Sequence, residues 1–289
     1  MSLSPNRFLG LELNERLRVI ELIEVRPFSL LFKGQVLALE RVVGSCSVLI
    51  WRSTPSGDPD DIVRALKAVN RNLDPKYSFG IQQVGVIRQG EFFNTIYATG
   101  EAVDTTLSKD LAAKNLLRVE DAENVLCQAA KALIPLHARK EVHGRVRPHN
   151  LIRTAAGWKL LGLDLRDLED RLERFARIPE EPVYLPPENY RAGLFSGTVD
   201  VWALGICLHL GMCGRLPYSG EGGELVQEVL KTPPKLERLP GRAGSVVRYL
   251  LVQEAEQRWG LPQCVSHIET PRGGDFSGRG GGALSLIHI

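Results

Sequence analysis

The sequence predicts an α+β chain, β-rich over about its first hundred residues and mainly helical after them. Two patterns carry this. Short runs rich in β-branched and aromatic residues, separated by turn signals, crowd the region before residue 100. Beyond it, apolar residues return at the 3.6-residue period of a helix. Apolar residues make up 44% of the 289 and charged residues 24%, the balance of a globular chain long enough to bury a sizeable core.

The elements follow in order. Residues 1–16 are set aside as an N-terminal extension. Strand-like runs span Leu17 to Glu24, Ser29 to Phe32, Val36 to Val43 and Ser47 to Arg52. A helix is predicted over Pro59 to Leu73. Proline suits a first helical turn, and Asp60 and Asp61 suit the positive end of the helix dipole. Val84 to Arg88 and Phe92 to Ala98 flank the turn signal Gln89-Gly90 and read as a hairpin. Thr99 to Thr106 then leads into the helical part.

Ala122, Val125, Leu126, Ala129, Ala130, Leu133 and Leu136 share one face of a long amphipathic helix. Leu151-Ile152 and Trp158 to Leu161 form a short hairpin turning at Ala155-Ala156-Gly157. Val201 to Cys213 is too short to span a bilayer and has Asp200 at its start, so it reads as a buried helix. Further helices run to about His267. Residues 271–289, Gly-rich and then apolar, bury nothing obvious and are read as a disordered or non-native tail, with the natural protein continuing elsewhere.

A net charge of +2 implies neither nucleic acid nor membrane surface as a partner. The five cysteines form no C-x-x-C pair and read as reduced thiols of a cytoplasmic protein. No signal-like segment and no membrane segment stands out.

Four segments then carry the functional reading. They are His143-Gly144-Arg145-Val146-Arg147-Pro148-His149-Asn150-Leu151, Leu185-Pro186-Pro187-Glu188, Asp200-Val201-Trp202-Ala203-Leu204-Gly205 and Glu256-Gln257-Arg258-Trp259. In order and spacing they resemble the catalytic loop, the A-P-E end, the D-x-W-x-x-G segment and the late structural arginine of protein kinases, of the bacterial Ser/Thr type. The resemblance covers roughly residues 17–270 and is stronger in the second half. It implies a two-lobed kinase-like fold: a small β-rich N-lobe over 17–100, a hinge near Thr99 to Thr106, and a larger, mainly helical C-lobe over 101–270. It also implies structural roles for His143, Glu188, Asp200, Trp202 and Arg258.

The same resemblance exposes what is missing. The catalytic-base aspartate is Arg145, which stays protonated and cannot accept a proton. The lysine after it is Arg147. The phosphate-cradle glycines become Glu24, Arg26 and Ser29, with Pro27 removing a backbone donor. The nucleotide lysine is Trp51, filling the cleft or standing as a half-exposed strand residue; a one-residue slip offers Arg52 on the opposite sheet face. The helix that should supply its glutamate partner, Ile62 to Leu73, contains no acidic residue. The metal motif reads Gly162-Leu163-Asp164, so its aspartate is Gly162 in register or Asp164 after a slip. Asn150 and Asp164 are the weak metal candidates. Against them, each nearby arginine would cost a bound cation on the order of several kcal/mol.

From Ala155 to Phe195 the chain holds no Ser or Thr, which excludes ordering of this segment by Ser/Thr phosphorylation. Its stretch Arg166 to Arg177 reads either as a short helix over the cleft, with Leu168, Leu172 and Phe175 inward, or as a mobile charged loop.

Fold-holding residues are thus present and chemistry residues absent. The resemblance implies a pseudokinase in signalling that binds a protein partner as a scaffold or allosteric regulator and needs no cofactor. An alternative is an unconventional active Ser/Thr kinase or ATP-binding switch, using ATP and Mg with Arg52, Asn150 and Asp164. A third reading has Arg145, Arg147 and Lys159 bind an anionic peptide or metabolite.

Overall fold

A computed structural model describes residues 4–27, 29–51, 58–69, 74–162, 182–236 and 238–271. They form a two-lobed α+β fold. The first lobe is built on β1 (Glu12–Asn14), β2 (Leu17–Val25), β3 (Ser29–Ala38), β4 (Arg41–Trp51), β5 (Ile81–Val86) and β6 (Ile96–Gly100), in the sheet order β1-β2-β3-β4-β6-β5 with antiparallel neighbours. Helix α1 (Pro59–Val69) packs on the underside through Ile62, Val63 and Leu66.

Two boundaries differ from the sequence expectation. The runs read as Ser29 to Phe32, Val36 to Val43 and Ser47 to Arg52 are two long strands, β3 and β4, joined at Leu39 and Glu40. Both turn residues have positive φ (49° and 63°), as a tight hairpin demands, but a Leu-Glu pair carries no turn signal. The helix from Pro59 is described to Val69, and residues 70–73 lie outside the described set. The extension assigned to residues 1–16 joins the sheet: β1 pairs with β2, and Phe8 stacks on Phe92 at 4.2 Å over the upper face.

The second lobe packs around α3 (Val119–Ala138) and α5 (Gly197–Cys213), with α2 (Leu107–Ala112), α4 (Pro187–Ala192), α6 (Gly222–Lys231), α7 (Gly241–Leu250) and α8 (Leu261–Glu269). Apolar residues surround α5 on nearly every side, which is why it is the buried axis of this lobe. Ser196 caps its start, and Gly214, at φ +75°, ends it in the left-handed conformation glycine adopts without strain. A small sheet, β7 (Thr105–Thr106), β8 (Leu151–Thr154) and β9 (Gly157–Leu160), lies at the lobe junction.

One buried cluster crosses that junction. Ile152 and Leu161 of the second lobe pack with Ile23, Leu31, Leu49 and Trp51 of the sheet and with Val103 of the hinge. The walls of the inter-lobe cleft therefore meet in apolar contact. Among the described residues no helix is long and apolar enough to cross a membrane.

Candidate functional site at the inter-lobe cleft

The segment from His143 to Asn150 is held from below by Asp200, which is fully buried in the first turn of α5. Its carboxylate accepts the backbone N–H of His143 (2.9 Å) and of Gly144 (2.7 Å) and lies 2.8 Å from His137 Nε2. Gly144 has φ +74°, and a Cβ there would fall 2.8 Å from the Phe195 ring, so the position needs glycine. The His143 ring accepts the N–H of Arg145 at Nδ1 (3.1 Å) and reaches the Leu161 carbonyl with Nε2 (3.2 Å). A carbonyl can only accept, so Nε2 carries the proton and the ring is neutral. Burial pushes its pKa down to about 4; Arg147 and Arg145 add to the fall, and Asp200 and the Leu161 carbonyl oppose it.

Asn150 is fully buried, and both ends of its amide are engaged. Nδ2 donates to the Arg145 carbonyl at 2.7 Å, and Oδ1 accepts from Arg26. Arg26 is only 2% exposed and also donates to the His149 carbonyl at 2.9 Å. Sequence reasoning placed Arg26 merely as a lost glycine. Nothing in its local pattern distinguishes an arginine turned into a cleft from one turned to water.

The positions that depart from the kinase pattern are distributed as follows. Arg145 occupies the base position, half-buried. Arg147 turns away under the 182–184 segment, its guanidinium 4.3 Å from the centre of the Tyr184 ring and donating to the Val146 carbonyl. Lys159 binds Glu101 (2.5 Å) and the Pro75 carbonyl (2.6 Å) near the hinge. Each of these last two cations is thus engaged within the fold, at a separate place, and does not converge with Arg145 on one anion pocket.

Trp51 is 1% exposed, in one buried apolar cluster with Ile62, Val63 and Leu66 of α1, rather than half-exposed. Apolar contact therefore occupies the strand–helix contact where the resemblance expects a Lys–Glu ion pair. Asp60 pairs with Arg88, and Asp61 with Arg64 at 2.9 Å, both on the surface. Gly162 has φ +107° and lies beside Asn150 and His143: a Cβ there would stand 3.5 Å from each. Arg52, Asp164 and the stretch Arg166 to Arg177 lie outside the described residues.

Among the described residues the donor set does not make up a magnesium–nucleotide site; Asp164, the other metal candidate, lies outside them. A hard cation needs several oxygen ligands. Asn150 Oδ1 already accepts from a cation, and Gly162 offers no side chain. Among the described residues no cluster of His, Cys, Asp and Glu gathers to hold a metal.

The architectural residues form a second centre. Arg258 binds Glu188 through two parallel contacts of 2.7 and 3.1 Å, donates to the Val252 carbonyl, and lies 5.2 Å from the centre of the Trp202 ring. Trp202 Nε1 donates to the Val183 carbonyl at 2.9 Å. Burial works to raise the Glu188 pKa, but the Arg258 hydrogen bond and charge outweigh it and hold the carboxyl below its usual range.

A sheet lobe over a helical lobe, a loop pinned to a buried aspartate and a Glu–Arg bridge behind it define a protein-kinase-like domain. The protein kinase domain family matches residues 77–268, and this chain belongs to it. It is similar to Protein lin-2 of Caenorhabditis elegans, 30% identical over 151 residues that cover 48% of this chain and 16% of that protein. It is also similar to the Serine/threonine-protein kinase Aurora-1 of Arabidopsis thaliana, 29% identical with 60% of each covered. The Serine/threonine-protein kinase GRIK1 of the same plant is 27% identical, with 61% of this chain and 46% of that protein covered. The chain thus spans less than two thirds of each of these relatives.

Proposed function

We propose that this chain is a catalytically inactive kinase-like domain that acts by binding another protein, as a scaffold or an allosteric regulator. The observation that carries the reading is Arg145 at the base position of a loop whose surrounding frame is intact. A positioned base contributes roughly 10²–10⁴ in rate, and a guanidinium cannot serve as one. The burial of Trp51 in the apolar cluster that includes α1 and the engagement of Asn150 by Arg26 support the same reading. Neither nucleotide nor metal is a cofactor in it, and nucleic acid is not a partner. The free cysteines suit the reducing cytoplasm proposed as its location. The bacterial Ser/Thr subtype and a signalling role rest on the sequence resemblance alone.

The alternative, an unconventional active kinase, draws support from the names of the two plant relatives, both serine/threonine-protein kinases, and from the retained Asn150. The two readings part in a thermal-shift measurement with millimolar ATP, with and without Mg²⁺. An unchanged melting temperature is expected. A ligand present at 100 times its Kd would add about 2.7 kcal/mol of stability, so a clear upward shift would overturn the proposal. A shift requiring Mg²⁺ would favour the active kinase.

A further inference from the structure

β2 ends in a way that serves no phosphate cradle. Its register shifts between Leu22 and Glu24, and Glu24 comes to stand opposite Leu31, whose side chain belongs to the cleft-facing cluster. The shift therefore turns both Ile23 and Glu24 toward the second lobe. The chain then reverses tightly: Val25 pairs with Leu30, and the Arg26 N–H donates to the Ser29 carbonyl at 2.9 Å, with Pro27 preset for the turn. The turn delivers the Arg26 guanidinium to the His149 carbonyl and the Asn150 side chain.

We propose that Arg26 is a clasp that holds the two lobes closed, seated on Asn150 in the place a metal and phosphates would need. The inference rests on the inactive reading above and adds how the closed form is kept. A cation buried to this degree persists only when it is paired and hydrogen-bonded. Arg26 has two acceptors on one loop. The guanidinium fork spans two acceptors at a fixed spacing, which a lysine ammonium cannot do. These two bonds hold the end of β2 against the His149–Asn150 segment of the second lobe. A partner protein would then meet one lobe arrangement whatever the nucleotide concentration.

Hydrogen exchange of the full chain, followed peptide by peptide, tests this. In Arg26→Ala, amides of residues 146–151 are expected to exchange at least tenfold faster, while those of 197–213 stay within twofold. Adding Asn150→Ala to that variant is expected to accelerate exchange by less than the product of the two single effects, because both changes break the Arg26–Asn150 contact even though Asn150→Ala also removes the bond to the Arg145 carbonyl. Exchange in Arg26→Ala equal to the unmodified chain, or acceleration that multiplies in the double variant, overturns the clasp. If Arg26→Ala does not fold, Arg26→Lys decides: it keeps the charge and loses the fork, and exchange over 146–151 equal to the unmodified chain overturns the clasp. Transfer of labelled γ-phosphate is followed in the same preparations. Transfer by the unmodified chain removes the inactive reading, whereas unchanged exchange without transfer removes the clasp alone.

Discussion

His143 must stay neutral where it sits. It is buried, its Nδ1 accepts the Arg145 N–H, and Arg147 and Arg145 add positive potential, so its pKa falls from the ordinary 6.5 to about 4. The unfolded chain takes up this proton near pH 6.5, the folded chain only near 4. Between those values the unfolded state binds more protons, so the stability is fully present above about 6.5 and is lost as pH falls toward 4. The interval corresponds to on the order of 3 kcal/mol. His149, shifted well down by burial and then by Arg26 and the same two arginines, acts in the same direction. The urea midpoint is therefore expected to drop between pH 7 and pH 5, with a shallower drop in His143→Asn. A midpoint flat across this range would mean that the ring is protonated or solvated in the native state. His143 and Asp200 were legible as structural residues because they sit inside recognisable segments. Arg26 was not, because an arginine looks the same in sequence whether it faces water or a buried amide.

At the scale of elements, the bridge between Glu188 and Arg258 ties the start of α4 to the loop before α8. Its arginine side chain is 1% exposed and its glutamate 14%. Removing one partner strands the other charge out of water, which typically costs about 3–5 kcal/mol. Glu188→Ala is expected at the lower end, about 3 kcal/mol, because the carboxylate edge reaches solvent; equilibrium urea unfolding reads the loss. Because this carboxyl is held below its usual range, its contribution is present above the unfolded carboxylate pKa and disappears as pH falls through the folded one. A loss under 1 kcal/mol would place the pair among ordinary surface ion pairs. The helices here were readable because their apolar period spans several turns: Ala122 to Leu136 falls within α3, and Val201 to Cys213 within α5. The β3–β4 connection was not, since Leu39 and Glu40 take positive φ without glycine or asparagine. β1 is three residues long and shows no periodicity of its own. It becomes a strand by pairing with β2, a tertiary fact.

At the scale of the whole molecule, the sequence shows where the chain departs from the kinase pattern but not what packs there. The lack of an acid from Ile62 to Leu73 and a tryptophan in β4 can be read one at a time. That Trp51, Ile62, Val63, Leu66, Ile152 and Leu161 close into one apolar body across the lobes depends on packing between distant segments. This body and the Arg26 contact decide what a repair of the catalytic loop can achieve. Arg145→Asp together with Arg147→Lys restores the loop pattern. It leaves Gly162 without a carboxylate, Trp51 in the apolar cluster and Glu24 and Arg26 in the cradle. Asn150 bridges Arg26 to the residue 145 carbonyl, so the carboxylate introduced by Arg145→Asp enters the neighbourhood of the Arg26 guanidinium. Pairing with that cation would tighten the closed cleft and lower the carboxylate's basicity. Parts that act on one transition state return little when repaired singly. The double variant is therefore expected to transfer labelled γ-phosphate, to itself or to a generic basic protein, no faster than the unmodified chain. Robust transfer by the double variant alone would mean that the cleft opens readily enough to take nucleotide, and that Arg145 and Arg147 were the whole of the defect. Adding Arg26→Ala to the double variant separates the two remaining obstacles. Transfer that emerges only then would assign the block to the guanidinium, and transfer still at background would assign it to the Trp51 cluster or to glycine at position 162.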